Sequence, residues 1–291
     1  MDLTRFAEQI GREDPVTCVG GRTQWGVGGR LDDGTREVSA PAGIEVIAPE
    51  EMTVMCAAGT TVVELQDALA AHGQTVSLPP WPDATVGGVL AVGQSGIDRL
   101  GRGPVRDTVL QARVVVASGA IVKAGGPTVK NVSGYDLCRL LVGSLGTLAF
   151  IGDVILRTRP RPPVSHWFQG DGDPFATRRR LHAPSAVLWD GRHTWVLLEG
   201  AAADVASQAT SCGLREIAGP PALPKGGRCS LAPAELRSLD GNFIAEVGVG
   251  IVHVERPVSR AVIAPVVAAL NRAVKARFDP SGRLNPGRSP L

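Results

Sequence analysis

Three glycine-rich segments, near residues 20–29, 84–96 and 143–147, could bring several unobstructed backbone N–H groups to one ligand. Glycine has no Cβ, so the chain can turn tightly there and approach a ligand closely. Backbone N–H groups at turns and at helix N-termini bind phosphate oxygens, which favours a pyrophosphate-bearing dinucleotide as the ligand. The first segment lacks the Gly-x-Gly-x-x-Gly spacing, and no Gly-Lys-Ser or Gly-Lys-Thr occurs, so ordinary NAD sites and P-loops are disfavoured.

The segments between these glycines have the patterns of alternating strands and helices. Val16 to Val19 reads as a strand that ends in the first glycine-rich segment. Thr61 to Glu64 has the form of a capping box, so we expect a helix to begin there. Val109 to Ala117 and Ile121 to Lys123 predict a hairpin around a Ser-Gly-Ala turn. Helices and sheets are therefore intermixed, and the predicted class is α+β.

A second lobe is expected after the prolines at 160–163. Val187 to Trp189 and Trp195 to Glu199 look like paired strands, and Ala202 to Cys212 looks like a helix. Ile251 to Glu255 predicts a further strand, and the apolar spacing of Ser259 to Phe278 predicts a long last helix.

Composition excludes several classes of function. The chain has 291 residues, a formal net charge of +2 and 4% aromatic residues. The sequence therefore does not indicate a basic surface with aromatic residues that could stack on the bases of a nucleic acid. Its five cysteines are widely spaced and predict neither a disulfide framework nor a metal or iron–sulfur ligand set. We find neither a secretory signal nor a run of about 18 apolar residues, and we expect a cytoplasmic protein.

The residues from Gly126 to Leu137, followed by the Gly-Ser-Leu-Gly-Thr-Leu of 143–148, resemble the signature of the lactate and glycolate oxidase branch of FAD-linked oxidases. The segment Pro82 to Gly88 and the closing segment Asp279 to Arg288 resemble the same family. The chain is therefore identified as resembling the FAD-linked oxidases of the vanillyl-alcohol oxidase type. Its short cap, and Ser144-Leu145-Gly146 where larger catalytic subunits have Ser-Glu-Gly, are most similar to the smaller FAD-binding subunit of glycolate oxidase.

This resemblance implies a two-subdomain FAD-binding fold with a small α+β cap lobe. We expect an FAD-binding domain at 1–159, a reduced cap or substrate lobe at 160–250, and a C-terminal return segment at 251–291 that contacts the flavin region. The first loop would wrap the pyrophosphate, and the second would bind diphosphate and ribityl groups. The residues expected to bind the cofactor are Gly20, Gly21, Arg22, Thr23, Gln24, Trp25, Pro80, Ala84, Thr85, Val86, Gly87, Gly88, Ser95, Gly96, Lys130, Gly143, Gly146, Thr147, Ile151 and Asn285.

Two further residues are candidates for catalysis. His253, on the predicted strand before the closing segment, could accept the substrate's hydroxyl proton during hydride transfer, although a packed strand histidine is the alternative. Arg283 would return towards the isoalloxazine edge. The family often has a histidine after the first Gly-Gly for a covalent flavin link; Arg22-Thr23 stands there in this chain, so the FAD is expected to be non-covalent.

Three functions remain open at this point. The first is an FAD-dependent oxidoreductase that oxidises a small 2-hydroxy acid such as glycolate and passes a hydride to flavin N5. The second is a non-catalytic or electron-relaying FAD-binding subunit, which requires a larger FAD subunit and an iron–sulfur subunit and can lie at the inner membrane through them. The absence of a Gly-His-x-Gly-Asp-Gly-Asn-x-His stretch favours this second function. The third is a lone homologue that acts on another alcohol or an amine.

Overall fold

The computed structural model describes residues 1–127, 136–258 and 263–290. The chain forms two compact units. The larger unit contains Met1–Ser95, Pro104–Arg161 and Val262–Leu291, and the smaller unit contains Gly96–Gly103 and Pro162–Ala261.

The strands, numbered along the chain, are β1 (Val16–Cys18), β2 (Arg36–Val38), β3 (Ile44–Ala48), β4 (Thr53–Ala57), β5 (Gln74–Thr75), β6 (Val109–Val115), β7 (Ile121–Gly125), β8 (Phe150–Arg157), β9 (Arg159–Pro160), β10 (Val164–Gly170), β11 (Ala186–Trp189), β12 (Thr194–Gly200), β13 (Arg215–Ile217), β14 (Gly227–Ser230), β15 (Phe243–Glu246) and β16 (Ile251–Val254). The α-helices are α1 (Thr4–Ile10), α2 (Val62–Ala70), α3 (Val86–Val92), α4 (Arg99–Arg102), α5 (Leu137–Leu141), α6 (Pro174–Arg180), α7 (Ala202–Ser211) and α8 (Pro265–Phe278).

The main sheet of the larger unit has five antiparallel strands in the order β3-β4-β8-β6-β7. The central strand β8 is apolar along most of its length and almost wholly buried, as a strand covered on both faces must be. One face packs against α2 and α3 through residues such as Leu65 and Leu90, both fully buried. This core holds α3 and its preceding turn against the sheet, and α3 carries part of the site described below.

Helix α2 begins where the sequence predicted. The Thr61 hydroxyl oxygen accepts a 3.2 Å hydrogen bond from the Glu64 backbone N–H, which satisfies one of the N–H groups left free at the helix start. The predicted hairpin is also present, as strands β6 and β7. The helix ends at Ala70, before the glycine at position 73 that the sequence suggested as its stop.

The C-terminal segment returns to the start of the chain and runs beside β1. The Val16 N–H donates to the Arg283 carbonyl at 2.9 Å, and the Asn285 N–H donates to the Val16 carbonyl at 2.9 Å. Strand β1 is therefore flanked by the parallel strand β2 and by this segment. Because β1 leads directly into the first glycine-rich loop, the pairing brings the tail to that loop.

The smaller unit contains a seven-stranded antiparallel sheet in the order β13-β10-β12-β11-β15-β16-β14. Its β11–β12 hairpin and helix α7 agree with the sequence predictions, with α7 ending one residue earlier. Buried apolar side chains of α7, including Val205 and Ala209, pack against Phe168 of β10. The predicted α+β class is confirmed by the intermixed helices and sheets of both units.

The unit boundaries can be compared with the predicted lobes. The smaller unit resumes at Pro162, next to the expected boundary at 160. Strand β16 pairs with β14 and β15, so residues 251–254 belong to the sheet of the smaller unit rather than to the return segment. The predicted last helix is shorter at its start: within the described residues it begins at Pro265, since proline favours the first helical position. Among the described helices, none is both long and apolar enough to cross a membrane.

Candidate functional site

A cleft in the larger unit is lined by residues from all three glycine-rich segments and from the C-terminal tail. It encloses about 950 Å³, part of which is open to solvent. The predicted cofactor residues that line the cleft are Gly20, Gly21, Arg22, Thr23, Gln24, Trp25, Thr85, Gly87, Gly88, Gly146, Ile151 and Asn285.

The first loop lies directly against the turn that starts α3. A Cβ on Gly20 would be 2.3 Å from Thr85 Oγ1, and a Cβ on Gly21 would be 1.7 Å from the Asp83 carbonyl oxygen. Thr85 is the N-cap of α3, and its hydroxyl oxygen accepts from the Gly88 N–H at 3.2 Å. Only glycine permits this approach at positions 20 and 21, so the first and second glycine-rich segments form one wall of the cleft.

The third segment meets the opposite end of α3 and the C-terminal tail. The Leu145 N–H donates to the Ala91 carbonyl at 2.8 Å. Leu145 and Gly146 both have positive φ angles, of 53° and 67°, which turn the chain sharply. The Asn285 side-chain N–H donates to the Leu145 carbonyl oxygen. The tail and the third segment are therefore joined by a direct hydrogen bond beside the cleft.

Three residues that line the cleft each have a buried polar side-chain atom without a hydrogen-bond partner. Within the described residues, these atoms are Gln24 Oε1, Asn285 Oδ1 and Arg288 Nε, and they are the full set of such atoms. The amide orientations follow from their partners, because Gln24 Nε2 donates to Gln94 and Asn285 Nδ2 donates to Leu145. A buried polar atom without a partner costs about 1–3 kcal/mol. A ligand that offers both donors and acceptors would satisfy all three atoms.

Two arginines surround Trp25 at the cleft. The Cζ atoms of Arg22 and Arg288 lie 4.6 Å and 4.3 Å from the centroid of the Trp25 ring, a cation–π geometry. Arg22 also pairs with Glu37 at 2.5 Å, and Arg288 Nη1 donates to the Val27 carbonyl at 3.0 Å. Burial lowers the pKa of Arg288, but a guanidinium stays charged in proteins. The cleft therefore holds fixed positive charge and no acidic lining residue among those described.

Cys18 is the cysteine among the described lining residues. Burial raises the pKa of its thiol to about 12, against a smaller opposing effect of a hydrogen bond from the backbone of Ala40. The thiol is therefore neutral near pH 7, and it lines the cleft as a small apolar group rather than as a thiolate nucleophile.

Several predicted cofactor residues do not line the cleft. Ala84 and Val86 flank Thr85, and their side chains are turned into the buried core instead. Thr147 donates its hydroxyl to the Ser144 carbonyl at 2.7 Å, and the Ser95 hydroxyl oxygen accepts from the Val105 N–H at 3.1 Å. The other predicted residues outside the lining are Pro80, Gly96, which belongs to the smaller unit, and Gly143. Lys130 lies outside the described residues.

Arg283 occupies a different position from the one expected. Its side-chain N–H groups donate to the backbone carbonyls of Ile10, Asp14 and Ala117, and the residue is only 3% exposed. The guanidinium therefore joins the tail to the N-terminal part of the larger unit. This arrangement corrects the expected catalytic position of Arg283, because its hydrogen-bonding groups are directed to backbone rather than to the cleft.

His253 lies in the smaller unit, on β16. Its Nε2 is 2.7 Å from Glu246 Oε1, and both side chains are buried. His253 is therefore held in a defined orientation by a carboxylate, which is how a proton-accepting histidine is commonly positioned. The same pair is also what a packed strand histidine would show.

Some lining residues were not predicted from the sequence. Arg288 stands three residues after Asn285 in the closing segment that carries the resemblance. Its place in that segment could have identified it as a lining residue. The apolar lining, which includes Ala58, Leu141 and Phe150, comes from separate elements of the core. No local pattern distinguishes these residues from others of the core.

Comparisons with known proteins agree with this geometry. Residues 3–125 match the family described as FAD binding domain. The glycolate oxidase subunit GlcE of Escherichia coli (strain K12) is 30% identical over 236 residues, which are 75% of this chain and 65% of that protein. The D-lactate dehydrogenase of Archaeoglobus fulgidus is 44% identical over 121 residues, 40% of this chain and 27% of that protein. The chain thus spans less than two thirds of the length of either relative.

A solved structure shows the same fold. The chain superposes on an alkyldihydroxyacetonephosphate synthase with a TM-score of 0.68 and 14% identity, over 98% of this chain and 72% of that protein. The predicted FAD cofactor and the predicted similarity to the smaller glycolate oxidase subunit are confirmed by these matches. Residues 3–125 thus match the FAD binding domain family, FAD is the cofactor that these matches support, and the chain is similar to a glycolate oxidase subunit and to a D-lactate dehydrogenase.

Proposed function

We propose that FAD binds in the cleft of the larger unit, in contact with the first loop, the turn at Thr85–Gly88, Gly146 and Asn285. The observation that carries this proposal is that three residues lining this cleft, which the glycine-rich segments build, each have a buried polar atom without a partner. FAD offers hydrogen-bond donors and acceptors on its ring systems and negative charge on its pyrophosphate. The donors suit Gln24 Oε1 and Asn285 Oδ1, and the acceptors suit Arg288 Nε.

The FAD is proposed to be held non-covalently. The residue after the first Gly-Gly is Arg22, whose guanidinium is engaged by Glu37 and lies over Trp25. The described lining residues include no histidine, and the thiol of Cys18 is protonated near neutral pH. The described lining residues therefore offer no activated side chain for a flavin link, and the proposed cofactor is held by packing, hydrogen bonds and charge.

The proposed reaction is the oxidation of a small 2-hydroxy acid. When bound, the flavin supplies the hydride acceptor, at its N5 atom. His253 accepts the hydroxyl proton, and Glu246 orients the imidazole through Nε2. With Nε2 engaged, Nδ1 is the nitrogen that takes the proton. The class of substrate is that of the relatives named glycolate oxidase subunit and D-lactate dehydrogenase.

The second candidate function is that of an FAD-binding subunit in a larger assembly. The relative from Escherichia coli is itself named a subunit. In addition, the sequence of the present chain has no Gly-His-x-Gly-Asp-Gly-Asn-x-His stretch. In this proposal the chain needs a larger FAD subunit and an iron–sulfur subunit to react with substrate. Its location is then the cytoplasm, at the inner membrane through those partners.

One experiment separates these functions. The purified chain is reconstituted with FAD and freed of unbound flavin. It is then mixed anaerobically with glycolate or D-lactate, while the absorbance of the oxidised flavin at about 450 nm is followed. Bleaching by the chain alone supports the oxidoreductase. Bleaching only after a larger FAD subunit and an iron–sulfur subunit are added supports the subunit function. Failure to retain FAD after incubation with an excess contradicts both.

A further inference from the structure

Helix α8 has apolar side chains that are largely exposed to solvent. Val266, Val267 and Leu270 are 80%, 47% and 62% exposed, and none of the residues of this helix is buried. Helices of globular proteins normally turn their apolar side chains to the core, and a group of exposed ones marks a surface that binds another molecule. The apolar side of α8 is therefore a candidate binding surface.

The last turns of α8 are fixed to the larger unit. Lys275 Nζ donates hydrogen bonds to the Thr147 carbonyl at 2.7 Å and to the Leu284 carbonyl at 3.0 Å, and it pairs with Asp279. The first turns, which carry the exposed apolar side chains, extend from this anchored end. A partner therefore meets a helix that is already formed, and its binding costs little conformational entropy in this chain.

Four exposed residues follow one line along α8. They are Val266, Leu270, Ala273 and Arg277, spaced four, three and four residues apart, and this spacing places their side chains on the same side of the helix. A helix that binds in a groove of another protein uses the same spacing for its anchors. The line is apolar at its first three positions and positively charged at its last. It therefore fits a groove that is apolar at one end and acidic at the other.

The charge of this part of the chain favours an acidic partner over a second copy of the same chain. The sequence from 256 to 278 contains five basic residues and no acidic residue; the basic residues are Arg256, Arg260, Arg272, Lys275 and Arg277. In a two-fold dimer the same surface of both copies meets. Two copies joined through α8 would bring these like charges together, which opposes association.

The position of Arg277 favours a protein groove over a lipid surface. Helices that lie on a bilayer separate an apolar side, which enters the lipid, from a basic side that faces the headgroups. On α8 the basic Arg277 continues the line of Val266 and Leu270 instead of lying on a separate side. Arg277 is exposed, so a carboxylate of a bound protein can pair with it.

We infer that α8 is the surface through which this chain binds the larger FAD subunit of the proposed assembly. The groove of the partner is apolar opposite Val266 and Leu270, and it carries a carboxylate opposite Arg277. This inference rests on the second candidate function, and it adds the contact surface and the chemistry that the partner must present. Arg272, on another side of α8, is not part of the contact.

The test measures how tightly the purified larger FAD subunit from the same organism binds the full chain loaded with FAD, by biolayer interferometry. Val266→Asp is compared with Val63→Asp, a matched control because each valine is exposed and is the second residue of its helix. An aspartate near a helix N-terminus interacts favourably with the helix dipole, so both variants are expected to fold and to retain FAD. We expect Val266→Asp to weaken binding by about thirtyfold or more, which corresponds to about 2 kcal/mol, and Val63→Asp to leave it unchanged.

The charge at the end of the line is tested on the same helix. Arg277→Gln is expected to weaken binding by about tenfold and to make it less dependent on salt, because an ion pair across the interface is lost. Arg272→Gln is the control, since Arg272 is equally exposed but lies on another side of α8. Equal effects of the two variants would reflect net charge alone and would overturn the contact assigned to Arg277.

The remaining results separate this inference from the proposal on which it rests. If the unaltered chain retains FAD but binds no larger FAD subunit, the proposed assembly fails and the inference fails with it. If the unaltered chain binds, but Val266→Asp has no greater effect than Val63→Asp, the inference alone is wrong. Should Val266→Asp not fold, Leu270→Ala is measured, and unchanged binding in that variant overturns the inference. Self-association of the chain, or binding to vesicles of anionic phospholipid, overturns the assigned partner if Val266→Asp abolishes it.

Discussion

Gly21 lies so close to Asp83 that a Cβ on Gly21 would be 1.7 Å from the Asp83 carbonyl oxygen. The neighbouring Gly20 is in the same situation, because its Cβ would be 2.3 Å from Thr85 Oγ1. The obstacles are the backbone and the capping residue of α3, which cannot move without shifting the turn that begins this helix. The two glycines therefore determine how closely the first loop approaches the second, and with it the width of the cleft.

The first prediction concerns this approach. Gly21→Ala is expected to push the loop away from Asp83, to lower the free energy of unfolding by about 1–3 kcal/mol as overpacking does, and to weaken FAD binding. The measurements are urea unfolding and titration of the FAD-free protein with FAD, followed by flavin fluorescence. Gly26→Ala is the matched control in the same loop, because a Cβ there meets no atom within 4 Å. Equal effects of the two substitutions would contradict the explanation.

The second prediction concerns the partnerless oxygen of Gln24. Gln24→Met keeps the length of the side chain but removes Oε1, which has no partner in the protein alone. We expect the FAD-free protein to change its free energy of unfolding by less than about 1 kcal/mol, because only the bond to Gln94 is lost. FAD affinity should fall by about tenfold, which corresponds to about 1.4 kcal/mol for a lost buried hydrogen bond.

The control for this change is Gln9→Met, at an exposed position of α1. Fluorescence titration with FAD gives the affinities, and thermal unfolding without FAD gives the stabilities. If Gln24→Met lowers stability without FAD and leaves FAD affinity unchanged, Gln24 has a structural role and does not contact the ligand.

The sequence predicted those parts of the fold that local patterns determine. Thr61 begins α2 because its hydroxyl satisfies an N–H group three residues later, and that requirement is visible in four consecutive residues. The place of β16 was not visible in this way. Ile251 begins a strand both in the prediction and in the structure, and only the pairing of this strand with β14 and β15 shows that it belongs to the smaller unit. Such pairings depend on contacts between distant segments, which no short pattern records.

The sequence likewise predicted the segments that form the site, but not which of their side chains face the cleft. Glycines 20, 21, 87 and 88 line the cleft because a missing Cβ is itself the property required there, and the residue type shows it. Ala84 and Val86 were included because they stand in the same segment, but the turn directs their side chains into the core and that of Thr85 to the cleft. A sequence motif identifies the segment, whereas the backbone conformation decides which of its side chains face the ligand.

The third prediction separates a structural from a catalytic function for Arg283. Arg283→Met leaves the carbonyls of Asp14 and Ala117 without a donor, and that of Ile10 with Arg36 alone, so the free energy of unfolding should fall by about 2 kcal/mol or more. Urea unfolding measures this change, with the exposed Arg272→Met as control. The folded fraction should bind FAD as tightly as the unaltered protein. A stable variant that has lost only substrate oxidation would restore the catalytic assignment.

The fourth prediction concerns Asp279, whose fully buried carboxylate bonds Lys275 Nζ at 2.5 Å and the Leu284 N–H at 2.8 Å. Burial, the largest single effect, raises the pKa of this carboxyl, but the hydrogen bonds from Lys275 and Leu284, the charge of Lys275 and the Ser281 hydroxyl together lower it below its ordinary value of 3.8. The carboxyl is thus more acidic in the folded state than in the unfolded state. Its contribution to stability is present above pH 3.8 and is lost as the pH falls through the lower folded value.

Asp279→Asn should therefore destabilise the protein by about 1–3 kcal/mol near pH 7, where the carboxylate is charged. The difference from the unaltered protein should shrink as the pH is lowered below 3.8, because the unaltered protein then loses the same interaction. Urea unfolding from about pH 3 to pH 7 measures this convergence. Asp204→Asn, at an exposed position of α7, serves as control and should leave stability unchanged throughout. A destabilisation by Asp279→Asn that stays constant down to the lowest pH would show that its cause is packing rather than charge.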